Sequence, residues 1–425
     1  MRGLQGSIYI LILGASLCYA APACALAPGA TIATADMDGD GIPDLVVLSP
    51  ADCTVNVVTV DADGNFTLLP PQSFEDITDM SSIAVADVNG DGIPDVIISD
   101  ESGSAGGVRV LLNDGHGDLA ADVSYASETG SGSGPASVTI TDINGDGFPD
   151  IITANASDGS VSILLNNGDA TFAAPVSYLA GTYAVTVAVA DLNGDGLPDL
   201  VVTDAGTNSV QVLLNDGHGG FGAPLSQSVG AHPVALVLDD IDGDGKPDVL
   251  VADRDDNTVG ILLGNGDGSF KPAVFIHTGA QPGWLAAQDL DGDGRPDLVT
   301  DNYSDGSVSV FTNTGRGEFG TSQRVYPAYG SYDTVVMDIA SKPQLVSANV
   351  AAGVVVVTPT ARGVKQGGGN NTNGTGNSDG SNPPPSTTHP IKGAQNPQSS
   401  SGSGAFDLLS LLLLGLLGLS RRLSR

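Results

Sequence analysis

The residues best suited to do chemistry in this chain are acidic, and they recur in one nine-residue pattern, Asp-x-[Asp/Asn]-Gly-Asp-Gly-x-Pro-Asp, beginning at Asp36, Asp87, Asp142, Asp191, Asp240 and Asp289. Positions one, three, five and nine offer side-chain oxygens and position seven offers a carbonyl, a donor set suited to calcium, which takes six to eight hard oxygen ligands in irregular loops. Glycine at four and six lets the chain curl so that these oxygens converge, and proline at eight fixes the exit into the next element. Without a cation, several carboxylates in one tight loop repel one another. Runs of Asp and Gly also make good turns without any ion. Six copies in phase, each keeping Asp at position nine, favour the ion.

The expected ligands are therefore Asp36, Asp38, Asp40, Ile42 and Asp44 in the first loop and Asp87, Asn89, Asp91, Ile93 and Asp95 in the second. The third has Asp142, Asn144, Asp146, Phe148 and Asp150, and the fourth Asp191, Asn193, Asp195, Leu197 and Asp199. The fifth has Asp240, Asp242, Asp244, Lys246 and Asp248, and the sixth Asp289, Asp291, Asp293, Arg295 and Asp297. Asn at position three removes a charge from loops two, three and four, which predicts weaker binding there. An EF-hand would need Glu at position twelve and flanking helices. Position twelve here is Val47, Ile98, Thr153, Val202, Val251 or Thr300, so these are β-hairpin loops with about six structural calcium ions expected.

Such loops need strands on both sides, and the sequence supplies them. An alternating run such as Ile83–Ala86 or Val187–Ala190 precedes each loop, and a short apolar run such as Leu200–Val202 follows it. A third run follows, as in Val161–Leu165, Val210–Leu214 and Val259–Leu263. Turns of Asn-Asp-Gly or Asn-Gly type then lead to a fourth. An aromatic stands 30 residues after the first Asp at Phe66, Phe172, Phe221, Phe270 and Phe319, with Leu119 in that role at 32 in the second unit. The loops are spaced by 51, 55, 49, 49 and 49 residues, and a further 49 reaches Asp338, where the loop is eroded to Ile339-Ala-Ser-Lys-Pro-Gln344. Four strands in about 49 residues, repeated, is a propeller signature. The expected fold is all-β: a seven-bladed β-propeller of four-stranded antiparallel blades over 21–362, with units starting near 30, 81, 136, 185, 234, 283 and 332. The seventh unit lacks a fourth strand before low-complexity sequence begins, so Ala21 to Ala27 is expected to complete it.

Composition limits the partners. Fifteen Lys and Arg against 49 Asp and Glu give a net charge of −34, a field that repels nucleic acid. With 41% hydrophobic residues a packed core is available, and 58 Gly with 25 Pro argue against long helices. Residues 1–20, with Arg2 before an apolar stretch and small residues up to Ala20, read as a signal peptide. Cys24 follows Ala21-Pro-Ala, a poor lipobox. Export leaves Cys24 and Cys53 in an oxidising compartment, and a disulfide between them or two separate thiols are both open readings. Residues 363–404 read as a disordered Gly/Asn/Ser/Pro linker, and 405–425 as a short hydrophobic helix, apolar from Phe406 to Leu419 except at Asp407 and Ser410, with a basic end.

Other polar residues have ordinary explanations. His116 and His218 lie in Asp-Gly-His-Gly turns, Asp169 and Asp267 in equivalent turns, and His232 and His277 stand alone. Trp284 occupies an inner-strand position held elsewhere by small residues, as a packing residue or as a ligand platform in a central channel. No Ser/His/Asp grouping, nucleophile elbow, Cys/His cluster or phosphate loop is present in the sequence.

Over roughly Ala30 to Thr358 the units resemble the FG-GAP/VCBS repeats of bacterial surface proteins and of the integrin α-subunit head, with the Phe-Gly pair kept at Phe221-Gly222 and Phe319-Gly320. The resemblance implies a calcium-stabilised scaffold for adhesion or recognition of a protein or glycan ligand at the cell envelope, without catalysis. Similar propellers include carbohydrate-binding lectins and parts of enzymes, so a lectin and a secreted hydrolase or lyase using face carboxylates are the alternatives. The tail resembles the GlyGly-CTERM class of sorting segments, which implies a rhombosortase-type protease acting near Ser401 to Gly404. Plain membrane anchoring through the C-terminal segment is the rival.

Overall fold

The computed structural model describes residues 9–12 and 32–325, short internal stretches excepted, and the strands 333–338, 343–349 and 354–359; strands 9–12 and 333–359 are described by backbone alone. Every regular element is a strand, and no α-helix is present among the described residues. Six antiparallel sheets follow one another along residues 32–73, 80–126, 137–179, 184–228, 233–277 and 282–325. In blade four the order is Ala184–Ala190, Asp199–Asp204, Ser209–Leu213 and Leu225–Ser228, each strand paired with the next. The first strands lie beside one another from blade to blade, Ser137–Thr141 next to both Met80–Ala86 and Ala184–Ala190, so they form the inner ring of a β-propeller.

The burial pattern explains the arrangement. Second strands such as Asp199–Asp204 and Asp248–Asp253 are buried along their whole length, because both faces of each sheet meet a neighbouring blade. Fourth strands such as Val176–Leu179 and Val274–His277 are mostly exposed at the rim. The core lies between blades: Leu192, Val201, Val210 and Val212 of blade four pack with Leu236, Val249, Val251 and Leu262 of blade five. Each such side chain contributes about 1.5–3 kcal/mol when fully buried. The expected aromatics fill the same interfaces. Phe172 packs against Val88, Ile97 and Val108 of the preceding blade and meets Tyr125 edge to face, 5.3 Å between ring centroids.

Six blades are thus described to their side chains, one fewer than the seven expected from the repeats. The eroded unit is a further four-stranded sheet of backbone, Asp333–Asp338, Pro343–Asn349 and Val354–Pro359 with Tyr9–Ile12 on its edge. That edge strand corrects a second expectation: Tyr9–Ile12 pairs with Val354–Val357, the place assigned to Ala21 to Ala27. Tyr-Ile-Leu-Ile is an apolar, β-favouring run, and it falls inside the segment read as a signal peptide. Ala21 to Ala27, Cys24, the linker over 363–404 and the hydrophobic segment over 405–425 lie outside the described residues. No helix among the described residues is long and apolar enough to cross a membrane. Cys53 is buried, its Sγ 3.6 Å from the Pro50 carbonyl oxygen.

Candidate metal centres

Each acidic nonapeptide forms the connection from the first strand of its blade to the second, as in Ile32–Ala35 to Asp44–Ser49. The six share one internal wiring. The position-one carboxylate accepts the N–H groups of both glycines, Gly39 and Gly41 donating to Asp36 at 2.8 Å each. These glycines have φ of +78° and +85°, and a Cβ there would meet nothing within 4 Å, so the backbone conformation and not space demands glycine. Asp38 accepts the Asp40 N–H at 3.2 Å, and Asp40 accepts the Ile42 N–H at 2.8 Å. Hydrogen bonds thus curl the loop until the acidic side chains point together.

Position three then divides the loops. In loop one, one oxygen each of Asp36, Asp38 and Asp40 lies within 4.8 Å of the others. In loops two, three and four the Asn amide donates to the position-five carboxylate instead: Asn89 to Asp91 at 2.9 Å, Asn144 to Asp146 at 3.0 Å and Asn193 to Asp195 at 2.9 Å. In loops five and six the convergent groups are Asp240, Asp242, Asp248 and Asp289, Asp291, Asp297. Position seven is basic there, and Lys246 pairs with Asp244 at 3.0 Å while Arg295 pairs with Asp293. Lys246 holds the Asp244 carboxyl below its ordinary range. Loop one is the most acidic of the three convergent groups, with no basic residue at position seven.

Position nine behaves differently from the rest. Asp44, Asp95, Asp150, Asp199, Asp248 and Asp297 are buried. Each accepts the N–H of position two on Oδ2, as from Met37 to Asp44 at 2.8 Å, and a second N–H from the end of the third strand on Oδ1, as from Val60 at 2.7 Å. Burial, reinforced by the neighbouring loop carboxylates, pushes Asp44 and Asp95 up to about 6 in spite of these bonds, and raises the other four as well. A divalent cation at the loop would hold these carboxylates ionised. The donor set is all oxygen, acidic and preformed, which fits a hard cation.

Two features of the site were not read from the sequence. Position two is always apolar (Met37, Val88, Ile143, Leu192, Ile241 and Leu290), and each of these side chains is buried, which anchors the loop in the interface. Its regularity within the nonapeptide was the available signal. Asn113, Asn166, Asn215 and Asn313 stand where the third strand turns towards the fourth, and their backbone N–H groups serve position nine. Elsewhere, His116 is exposed. His232 does not stand alone, its Nδ1 lying 3.6 Å from Asp255. Trp284 packs against the blade-six group Leu290, Val299 and Val308.

Five overlapping segments, 36–98, 97–153, 142–202, 191–251 and 240–300, match the FG-GAP-like repeat. The chain belongs to the FG-GAP-like repeat family. Four of the matched segments begin on the first Asp of loops one, three, four and five, the other begins at 97 just past loop two, and the match stops at 300, short of the tail, so the GlyGly-CTERM resemblance has no support from it. Among solved structures, the FG-GAP-like chain is similar to the Agrocybe aegerita lectin that recognises non-reducing terminal N-acetylglucosamine, at 25% identity and TM-score 0.49, over 69% of this chain and 79% of that one. It is similar to a chain of the BBS1N–ARL6DN complex at 14% identity and TM-score 0.55, over 80% and 94%. A Bacteroides fragilis protein described as a 6-phosphogluconolactonase is similar at 16% identity and TM-score 0.51, over 72% and 90%. These last two likenesses concern the fold. Comparison with curated proteins gave no match.

Proposed function

We propose that this chain is a calcium-stabilised recognition module of the cell envelope that binds a protein or glycan ligand without catalysis. The observation that carries the calcium reading is loop one, where three carboxylates converge within 4.8 Å and hydrogen bonds of the loop itself hold them there. A calcium ion would be held by Asp36, Asp38, Asp40, the Ile42 carbonyl and Asp44, and by the equivalent positions of the other five loops. Its role is structural: it neutralises the loops where blades begin, and binding to the folded state alone stabilises by mass action.

Recognition is assigned to the opposite end of the blades, where first strands begin and second strands turn into third strands. There His232 and Gln281 hold φ of +56° without being glycine, and each N–H donates to an asparagine of the preceding blade, Asn208 at 3.0 Å and Asn257 at 2.7 Å. Non-glycine residues in this region cost free energy and gather at functional positions. Tyr183 and Tyr303 are exposed on the same end, with the Arg254 guanidinium 5.6 Å from the Tyr303 ring centre. Export through the N-terminal segment and attachment or processing at the C-terminal segment complete the proposal.

The test is a thermal melt of the purified chain in calcium and in excess chelator. The proposal expects a Tm lower by many degrees in chelator, reversed on adding calcium back; equal melts would refute it.

A further inference from the structure

The buried position-nine carboxylates are joined to one another around the propeller. Met37 gives its N–H to Asp44, and its carbonyl accepts from the side-chain amide of Asn113, one blade further on, at 2.9 Å. Asn113 in turn gives its backbone N–H to Asp95 of its own blade at 2.9 Å. The motif then repeats. Val88 donates to Asp95 and accepts from Asn166 at 2.8 Å, and Asn166 donates to Asp150. Ile143 donates to Asp150 and accepts from Asn215 at 3.4 Å, and Asn215 donates to Asp199. At the far end Ile241 donates to Asp248 and accepts from Asn313 at 2.9 Å, and Asn313 donates to Asp297.

Blade five has Gly264 where blades two, three, four and six have Asn, and a Cβ there would stand 2.3 Å from the Pro247 carbonyl oxygen. The link is nonetheless kept. The backbone N–H of Gly268 takes the Leu192 carbonyl at 3.1 Å, and the Gly264 N–H serves Asp248 at 2.7 Å. Blade one, whose loop is the first acidic one in the chain, has Val60 at this position and no side-chain amide. The amide is thus present, or replaced by an equivalent donor, wherever an acidic loop precedes.

We infer that Asn113, Asn166, Asn215 and Asn313 are positioning residues that couple each acidic loop to the next, so that the geometry of one cation site depends on the blade beside it. The inference rests on the cation reading for its consequence, but the coupling itself belongs to the protein. The amides of Asn113, Asn166 and Asn313 are buried donors and that of Asn215 is half-buried, and the loss of any one leaves a carbonyl of the neighbouring loop short of a partner. Disturbance should therefore appear in two adjacent loops and fade beyond them.

The experiment uses the full chain, wild type and Asn166→Ala, with hydrogen exchange followed by mass spectrometry in chelator and calcium titration by calorimetry. Exchange should quicken about tenfold in both 87–95 and 142–150, with 289–297 unchanged, and two calcium sites should weaken about tenfold. Asn166→Gly with Ala170→Gly reproduces the blade-five chemistry, since Ala170 already has φ of +59° where blade five has Gly268, and should restore both readouts. Should Asn166→Ala fail to fold, Asn313→Ala gives the same reading, with 240–248 and 289–297 affected and 87–95 as the distant control. Quickening confined to the mutated blade, or spread equally to the distant loop, would overturn the inference. A wild type that takes up no calcium would sink the cation reading, while the exchange pattern in chelator would still decide the coupling.

Discussion

Asp38→Asn gives loop one the chemistry already present in loop two, and it separates the charge of the loop from its shape. With oxygens of Asp36, Asp38 and Asp40 within 4.8 Å of each other, Asp38 takes part in two of the three repulsive pairs. Each is about 1 kcal/mol at a water-like dielectric. Removing both relieves about 2 kcal/mol, less in salt, which screens the pairs. The new amide can donate to Asp40 as Asn89 does to Asp91 at 2.9 Å, adding about 1 kcal/mol. At roughly 2 °C per kcal/mol for a domain of this size, the Tm in chelator should rise by about 4–6 °C. In calcium the sign reverses, because the ion loses a charged ligand, so the gap between the two melts should narrow. Differential scanning calorimetry at low salt, with and without chelator, measures both. A variant whose chelator melt is unchanged or lower would show that the loop carboxylates are not in conflict, and the charge argument would fail.

Further expectations concern pH, packing and conformation. Asp44 and Asp95 have folded-state values raised to about 6 from an ordinary 3.8. Without calcium their contribution to stability is full below about 3.8 and is lost as pH rises through 6. Melts in chelator should therefore fall between about pH 4 and 6 while melts in calcium hold, and a gap that does not widen with pH over that range would contradict this. Phe172→Ala should cost about 3–5 kcal/mol by emptying the interface with blade two, read from denaturant midpoints. Gly41→Ala meets no atom within 4 Å but must hold φ of +85°. It should cost about 1 kcal/mol or more and weaken calcium at that loop alone, as titration calorimetry would show.

Much of this architecture is legible in the sequence because the repeat is nearly regular. The nonapeptides place the turns, the alternating runs place the strands, and Phe66 to Phe319 mark the blade interfaces. What escaped lies in relations between repeats. A periodic reading compares Asn166 with Asn215 but does not reveal that Asn166 bonds Val88, 78 residues earlier. Spacing alone makes Asp44 and its equivalents ligands on a par with Asp36. Burial makes them clasps as well, with both oxygens already taken by backbone N–H groups. The edge strand lies at Tyr9–Ile12 and not at Ala21 to Ala27 because its pairing follows the apolar run and not the place where the last repeat breaks off. The seventh unit rests in the sequence on the spacing to Asp338, beyond which the acidic loop is gone and the unit is described only in its backbone.

The central claim is that the acidic loops take up calcium, and the most direct measurement is the calcium content of the purified chain after dialysis against buffered calcium. The account predicts about six ions per chain, with loop one losing its ion when Asp36, Asp38 and Asp40 are all changed to Asn. A chain that retains no calcium, or retains the same amount after those three changes, would contradict it.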